Sequence, residues 1–162
     1  MHTSGSTDAR GLRFAVVVSR YNDFVTDRLR AGALEALAHA GAAPDAVDVI
    51  DVPGSYEIPQ AAKLAARSGR YAAVVCLGCL IRGETPHFDY ISSAVSHGIM
   101  AASLDTGVPM SFGVLTTENA EQAIERVPPG PANKGWEAAM AALELAAIAR
   151  SCAPPPRTDG AT

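Results

Sequence analysis

Four short apolar runs limit what this chain can fold into. Phe14-Ala-Val-Val-Val18 is continuous, with no polar residue at every second position, and so reads as a strand buried on both faces. Val47-Asp-Val-Ile-Asp-Val52, Ala72-Ala-Val-Val-Cys-Leu77 and Met110-Ser-Phe-Gly-Val-Leu115 follow, each separated from the last by a stretch long enough for a helix. Helical patterns fill those stretches: about 22–39, closed by Gly41; 56–67, stopped at Gly69; and 90–104, stopped at Gly107. Asn22 or Asp23 is expected to cap the first. Thr117 is expected to cap a short helix carrying Glu118, Glu121 and Gln122, and a last helix spans about 135–150. Strand and helix in alternation predict an α/β protein with a parallel sheet, right-handed crossovers and helices on both faces.

At 162 residues the chain suits one domain, able to bury roughly two-thirds of its unfolded surface. Residues 1–11 read as a disordered tail, 12–151 as the folded domain, and 152–162 as a Pro-rich C-terminal tail that cannot continue the last helix. Val127-Pro-Pro-Gly-Pro131 reads as a stiff link between the last two helices. A net charge of −4 gives no reason to expect a nucleic-acid partner. No apolar run approaches the ~20 residues that span a membrane, and the polar first ten residues hold no signal-peptide core. Three cysteines without a secretion signal suit a reducing cytoplasm, the expected location. Cys76 and Cys79 have C-x-x-C spacing, but no second pair or His cluster accompanies them, and Cys76 is expected to point into the sheet packing.

Parallel sheets place ligands at the C-terminal ends of their strands, and the unusual residues of this chain stand there. Tyr21-Asn22 follows the first strand, Pro53-Gly-Ser-Tyr-Glu57 the second, and Gly78-Cys-Leu-Ile-Arg-Gly-Glu-Thr-Pro-His87 the third. This last segment, a strand-to-helix connection, offers backbone N–H groups near Gly83, the Thr85 hydroxyl and the His87 imidazole. It can therefore combine anion capture at a helix N-terminus with proton transfer near neutral pH. Tyr21, Tyr56 and Phe112 can sandwich a flat heterocycle, and Glu57 can accept hydrogen bonds from ligand hydroxyls or amines. Arg126 offers a planar fork for phosphate and Lys134 a point charge.

Singly, each feature has a plainer reading. Tyr56 and Phe112 read as core aromatics, Glu57 as a first-turn helix acid, Arg126 and Lys134 as solvated charges, His87 as a surface residue and Gly83 as a turn residue. Asp51 stands at a strand end like a phospho-acceptor, but Ser19-Arg20, not an acidic pair, follows the first strand, which argues against a receiver-like signalling domain.

In combination the motifs are specific. Ser19-Arg-Tyr-Asn-Asp-Phe24, Val52-Pro-Gly-Ser-Tyr-Glu-Ile-Pro59, the segment from Leu77 to Ile91, Gly107-Val-Pro109, Phe112-Gly-Val-Leu-Thr-Thr-Glu-Asn119 and Asn133-Lys-Gly135 together resemble the lumazine synthase family, over about residues 13–150. The resemblance implies a flavodoxin-like three-layer α/β/α fold with a four-stranded parallel sheet. It implies a transferase acting at the penultimate step of riboflavin biosynthesis, which condenses 5-amino-6-(D-ribitylamino)uracil with 3,4-dihydroxy-2-butanone 4-phosphate. It also implies pentameric rings with sites between subunits, and no cofactor.

Carried residue by residue, the resemblance makes Tyr21 the aromatic that stacks on the pyrimidine. It gives Ser55, Tyr56, Glu57, Cys79, Leu80 and Ile81 to the uracil substrate. Glu84 (through its backbone N–H) and Thr85 go to the phosphate, with Arg126 as its clamp, and His87 becomes the proton donor. Phe112, Arg126 and Lys134 would come from the adjacent subunit. The polar first ten residues and the Pro-rich link at 127–131 depart from the pattern of the family's icosahedral members and favour a pentamer over a sixty-subunit shell. A non-catalytic flavin- or lumazine-binding protein on the same scaffold is the alternative. It accounts for the aromatics and Glu57 but does not require His87 and Arg126 together.

Overall fold

The computed structural model describes residues 2–155. The strands are β1 (Phe14–Ser19), β2 (Val47–Val52), β3 (Ala73–Ile81) and β4 (Met110–Thr117). The helices are α1 (Asp23–His39), α2 (Ile58–Arg67), α3 (His87–Thr106), α4 (Ala120–Glu125) and α5 (Lys134–Cys152). The sheet is wholly parallel, in the order β2-β1-β3-β4, with Phe14 opposite both Val47 and Ala73, and Val74 opposite Met110. This is the flavodoxin-like α/β/α arrangement expected.

Continuous apolar strands leave two faces to cover. Phe14, Val16, Val18, Val75 and Leu77 pack with α1 and α5, while Ala15, Val17, Val74 and Cys76 pack with α2 and α3. Alanine-rich helices sit close, and α1 and α5 meet at glycines: a Cβ on Gly135 would overlap the Leu29 carbonyl, and one on Gly32 would overlap the Asn133 side chain. Asn133 is buried there. Its Nδ2 donates to the Arg28 carbonyl at 3.1 Å, and its Oδ1 accepts the Gly135 N–H at 2.7 Å, capping α5.

Several boundaries differ from the sequence expectation. β3 runs four residues beyond Leu77, because β4 continues to pair with it from Gly78 opposite Val114 to Ile81 opposite Thr117. Cys79, Leu80 and Ile81 are therefore strand residues, and the connection to α3 shrinks to 82–86. α3 starts at His87 rather than Tyr90, directly after Pro86, and ends at Gly107 in the left-handed region (φ 71°). α4 is capped by Asn119, whose Oδ1 accepts the Gln122 N–H at 2.9 Å; Thr117 is instead the buried last residue of β4 and donates its hydroxyl to the Asn119 carbonyl.

The chain ends show how much a tail can still be tethered. Among the described residues no helix or strand forms before Phe14, yet Ala9 is fully buried and its N–H donates to the Ala40 carbonyl at 2.9 Å. At the other end Ala153 is extended ahead of Pro154, and positions 156–162 of the expected Pro-rich tail lie outside the described residues. No helix among the described residues is long and apolar enough to cross a membrane.

The N-terminal edge of the sheet is tied by a polar cluster. The Tyr71 hydroxyl donates to Asp48 Oδ2 at 2.6 Å, Arg13 reaches the same oxygen at 3.2 Å, and the Arg70 guanidinium lies 5.1 Å from the Tyr71 ring centre. The Tyr71 hydrogen bond, assisted by Arg13, holds the Asp48 carboxyl below its ordinary value.

Candidate functional site

At the C-terminal edge, β1 and β3 are neighbours whose onward connections leave in opposite directions, β1 to β2 on one side and β3 to β4 on the other. Divergence at such a switch point opens a crevice, and here it is a cleft of about 550 Å³. Tyr21 and Asn22 line it from the loop after β1, Gly54 to Glu57 from the turn after β2, and Leu80 and Ile81 from the end of β3. Gly83 and Thr85 come from the loop that follows, and His87, Phe88 and Ile91 from α3.

Backbone bonds preassemble this rim. The N–H groups of Arg20 and Tyr21 donate to the carbonyls of Val52 and Pro53, continuing the β1–β2 pairing past both strands. Asn22 stands at the N-cap position of α1 in the left-handed region (φ 62°), but its side chain does not cap the helix. Its Nδ2 donates instead to the Cys79 carbonyl at 2.8 Å. That bond compensates a backbone conformation costing about 1–2 kcal/mol and ties the Tyr21 loop to β3.

Tyr21 and Tyr56 are 72% and 63% exposed, so neither is a core aromatic; both rings stand at the cleft. Glu57 Oε2 accepts the Gly54 N–H at 3.1 Å, which folds the turn, while Oε1 has no partner among the described residues. Ser55 is nearly buried beneath them, beside Gly78 of β3. A Cβ at Gly78 would lie 2.6 Å from the Ser55 hydroxyl and 3.2 Å from that of Ser19, so a side chain there would push Ser55 into the cleft. The Ser19 hydroxyl is buried without a partner among the described residues.

His87 is exposed in the first turn of α3, with the Phe88 ring alongside in the cleft wall. The amino end of a long helix thus faces the same cleft as Thr85 and Gly83, a setting that favours an anion. Glu84 is exposed and does not line the cleft. Cys79 is buried: its carbonyl is taken by Asn22, and burial pushes its thiol up to about 11, so it is no nucleophile at neutral pH. Cys76 is fully buried, and its thiol is pushed up to about 12 by burial alone. The two cysteines belong to opposite faces of the sheet, so the C-x-x-C pair can close on neither a metal nor itself.

Three residues expected at the site lie elsewhere on the protomer. Phe112 is half exposed on the edge strand β4, between a hollow lined by Lys134 and Glu137 and another lined by Asp89 and Ser93. Among the described residues the Arg126 guanidinium, at the end of α4, donates only to the Gln122 carbonyl of its own helix, at 2.7 Å, and Lys134 pairs with Glu137 at 2.8 Å. None of the three reaches the cleft. Conversely, Phe88 and Ile91 line it although nothing in the sequence singles them out, and Asn22, which reads there as a cap, is both lining and clamp.

The chain matches the family described as 6,7-dimethyl-8-ribityllumazine synthase over residues 11–150. Among curated proteins it is 53% identical over 148 residues to the 6,7-dimethyl-8-ribityllumazine synthase of Syntrophus aciditrophicus, covering 91% of this chain and 96% of that one. It is 50% identical over 145 residues to the enzyme of the same name from Desulfatibacillum aliphaticivorans, covering 90% and 94%.

Proposed function

The chain belongs to the 6,7-dimethyl-8-ribityllumazine synthase family, and from that premise we propose that its cleft is one half of an active site completed by a second subunit. The reaction is that of a riboflavin-biosynthetic transferase: 5-amino-6-(D-ribitylamino)uracil condenses with 3,4-dihydroxy-2-butanone 4-phosphate to give 6,7-dimethyl-8-ribityllumazine, phosphate and water. The observation that carries the proposal is the split of the site residues. One group converges in the cleft, while Phe112, Arg126 and Lys134 stand free of it on the β4 side. A ring of subunits, a pentamer by family resemblance, brings the β4 side of one to the cleft of the next. No finding favours the non-catalytic alternative, since both relatives carry the name of a synthase. The expected location is the cytoplasm.

In this reading Tyr21 stacks on the pyrimidine and Ser55, Tyr56 and Glu57 hold its polar groups, with Leu80 and Ile81 forming the floor and Cys79 buried behind it. Phe112 of the neighbour closes the other side of the ring, and its Lys134 reaches a carbonyl or anionic group. Thr85, the Glu84 backbone and the neighbour's Arg126 take the phosphate. The uracil amine attacks the ketone; His87 gives a proton to the departing hydroxyl as the imine forms. Phosphate is then eliminated, and ring closure releases a second water. Holding two reactive partners face to face supplies much of the acceleration, so His87 needs to add no more than about 10²–10⁴-fold.

Purified protein given both substrates should produce lumazine fluorescence. Tyr21→Ala and Arg126→Ala subunits, each nearly inactive alone, should recover activity when refolded together, because some interfaces then receive both intact residues. Mixed assemblies as inactive as either parent would overturn the shared site.

A further inference from the structure

Arg82 belongs to none of the roles assigned above. It is the first residue after β3, and its N–H still donates to the Thr117 carbonyl at 2.9 Å, so the sheet fixes its backbone. From that point its guanidinium reaches two other segments. Nε lies 2.9 Å from Glu118, on the connection after β4, and Nη1 lies 3.1 Å from Asp89, in the first turn of α3. The guanidinium also lies 4.5 Å from the ring centre of Phe88, which lines the cleft. The residue following His87 and the one after it are thus both held by a side chain anchored to the sheet.

We propose that Arg82 is a positioning residue for the phosphate half of the cleft, an inference that rests on the reading of Thr85 and the α3 N-terminus as the phosphate site. Two effects combine. The brace fixes the first turn of α3 through Asp89 and Phe88, and with it the backbone N–H groups that face the phosphate half of the cleft. It also offsets the charges of Asp89 and Glu118, which would otherwise act unopposed on a phosphate dianion beside them. Arginine suits the task because its flat, forked cation can bond two carboxylates while lying on an aromatic face, which a lysine ammonium cannot. The side chains of Arg82, Asp89 and Glu118 are 39%, 58% and 62% exposed, and pairs that wet contribute little to folding. The effect should therefore fall on the substrate rather than on stability.

Steady-state kinetics on the full chain, with each substrate varied in turn, decides it. Arg82→Met should raise KM for the butanone phosphate about fivefold, the scale of an exposed charge pair. The uracil KM and kcat should stay within about twofold of wild type. Inorganic phosphate should compete more weakly in the same proportion, and Arg82→Lys should recover only part of the loss. An unchanged phosphate KM in Arg82→Met, beside a raised one in Arg126→Ala, overturns the inference and leaves the phosphate site standing. Equal rises in both KM values also overturn it, since that is general loosening. If Arg82→Met fails to fold, the same two patterns in Arg82→Lys overturn the inference in the same way. Failure of inorganic phosphate to compete with the butanone phosphate in the wild type would remove the phosphate reading itself, and this inference with it.

Discussion

The two ends of the sheet are built on opposite principles. At the N-terminal edge, Arg13, Asp48, Tyr71 and Arg70 satisfy one another in a closed cluster. At the C-terminal edge, polar and aromatic groups stand exposed: Tyr21 and Tyr56 are open to solvent, and the exposed His87 imidazole has no hydrogen bond among the described residues. Of the bonds that do form there, those from Arg20 and Tyr21 join backbone to the β2 end, Asn22 is spent on the Cys79 carbonyl and one Glu57 oxygen on the Gly54 N–H, which leaves the two tyrosine rings and the His87 imidazole unengaged. One sheet thus separates its duties by end. The closed edge steadies the fold, and the open edge keeps its chemistry available.

The largest effect expected tests the open edge. His87→Ala should lower single-turnover rate by up to about 10²–10⁴-fold while thermal unfolding is unchanged; a variant that turns over at the wild-type rate would strip the residue of its acid–base role. Arg126→Ala comes next. Loss of its charge-assisted hydrogen bonds should weaken the butanone phosphate by about 1.5–3 kcal/mol and the uracil far less, and equal losses would break the assignment. The smallest effect tests the closed edge. Tyr71→Phe removes one partly wet hydrogen bond and should lower the urea midpoint slightly with kcat intact; lost activity without lost stability would erase the contrast. Its pH dependence has a definite sign. Asp48 is held below its ordinary value of 3.8 in the folded state, so the bond stabilises fully above that pH and less as the pH falls through the folded value. Wild type and Tyr71→Phe should therefore converge in stability as the solution is acidified past that point.

Much of this is legible in the sequence because burial leaves simple marks. Phe14 to Val18 can only be a two-sided strand, and Gly41, Gly69 and Gly107 stop their helices as expected. What escapes is tertiary. The end of β3 is set by pairing with β4, which no local pattern records, so the sequence alone puts Cys79 to Ile81 in a loop. Asn22 has the composition of a cap, and only the arrival of the Cys79 carbonyl redirects it. Asn119 displaces Thr117 as the α4 cap because β4 keeps Thr117 to its last residue. Of the candidate site, the residues that line the cleft come together as their loops imply, whereas Phe112, Arg126 and Lys134 stand outside the cleft of their own protomer.

The placement of the cysteines makes the molecule its own unfolding clock. Cys76 and Cys79 sit in opposite cores, each sealed from solvent, while Cys152 is exposed at the end of α5. A thiol reagent should take Cys152 at once. It can reach Cys76 only when the α2–α3 layer lifts, and Cys79 only when the α1–α5 layer does. The order in which the two buried thiols are labelled reports which layer opens first, and simultaneous labelling reports a sheet that lets go as one unit.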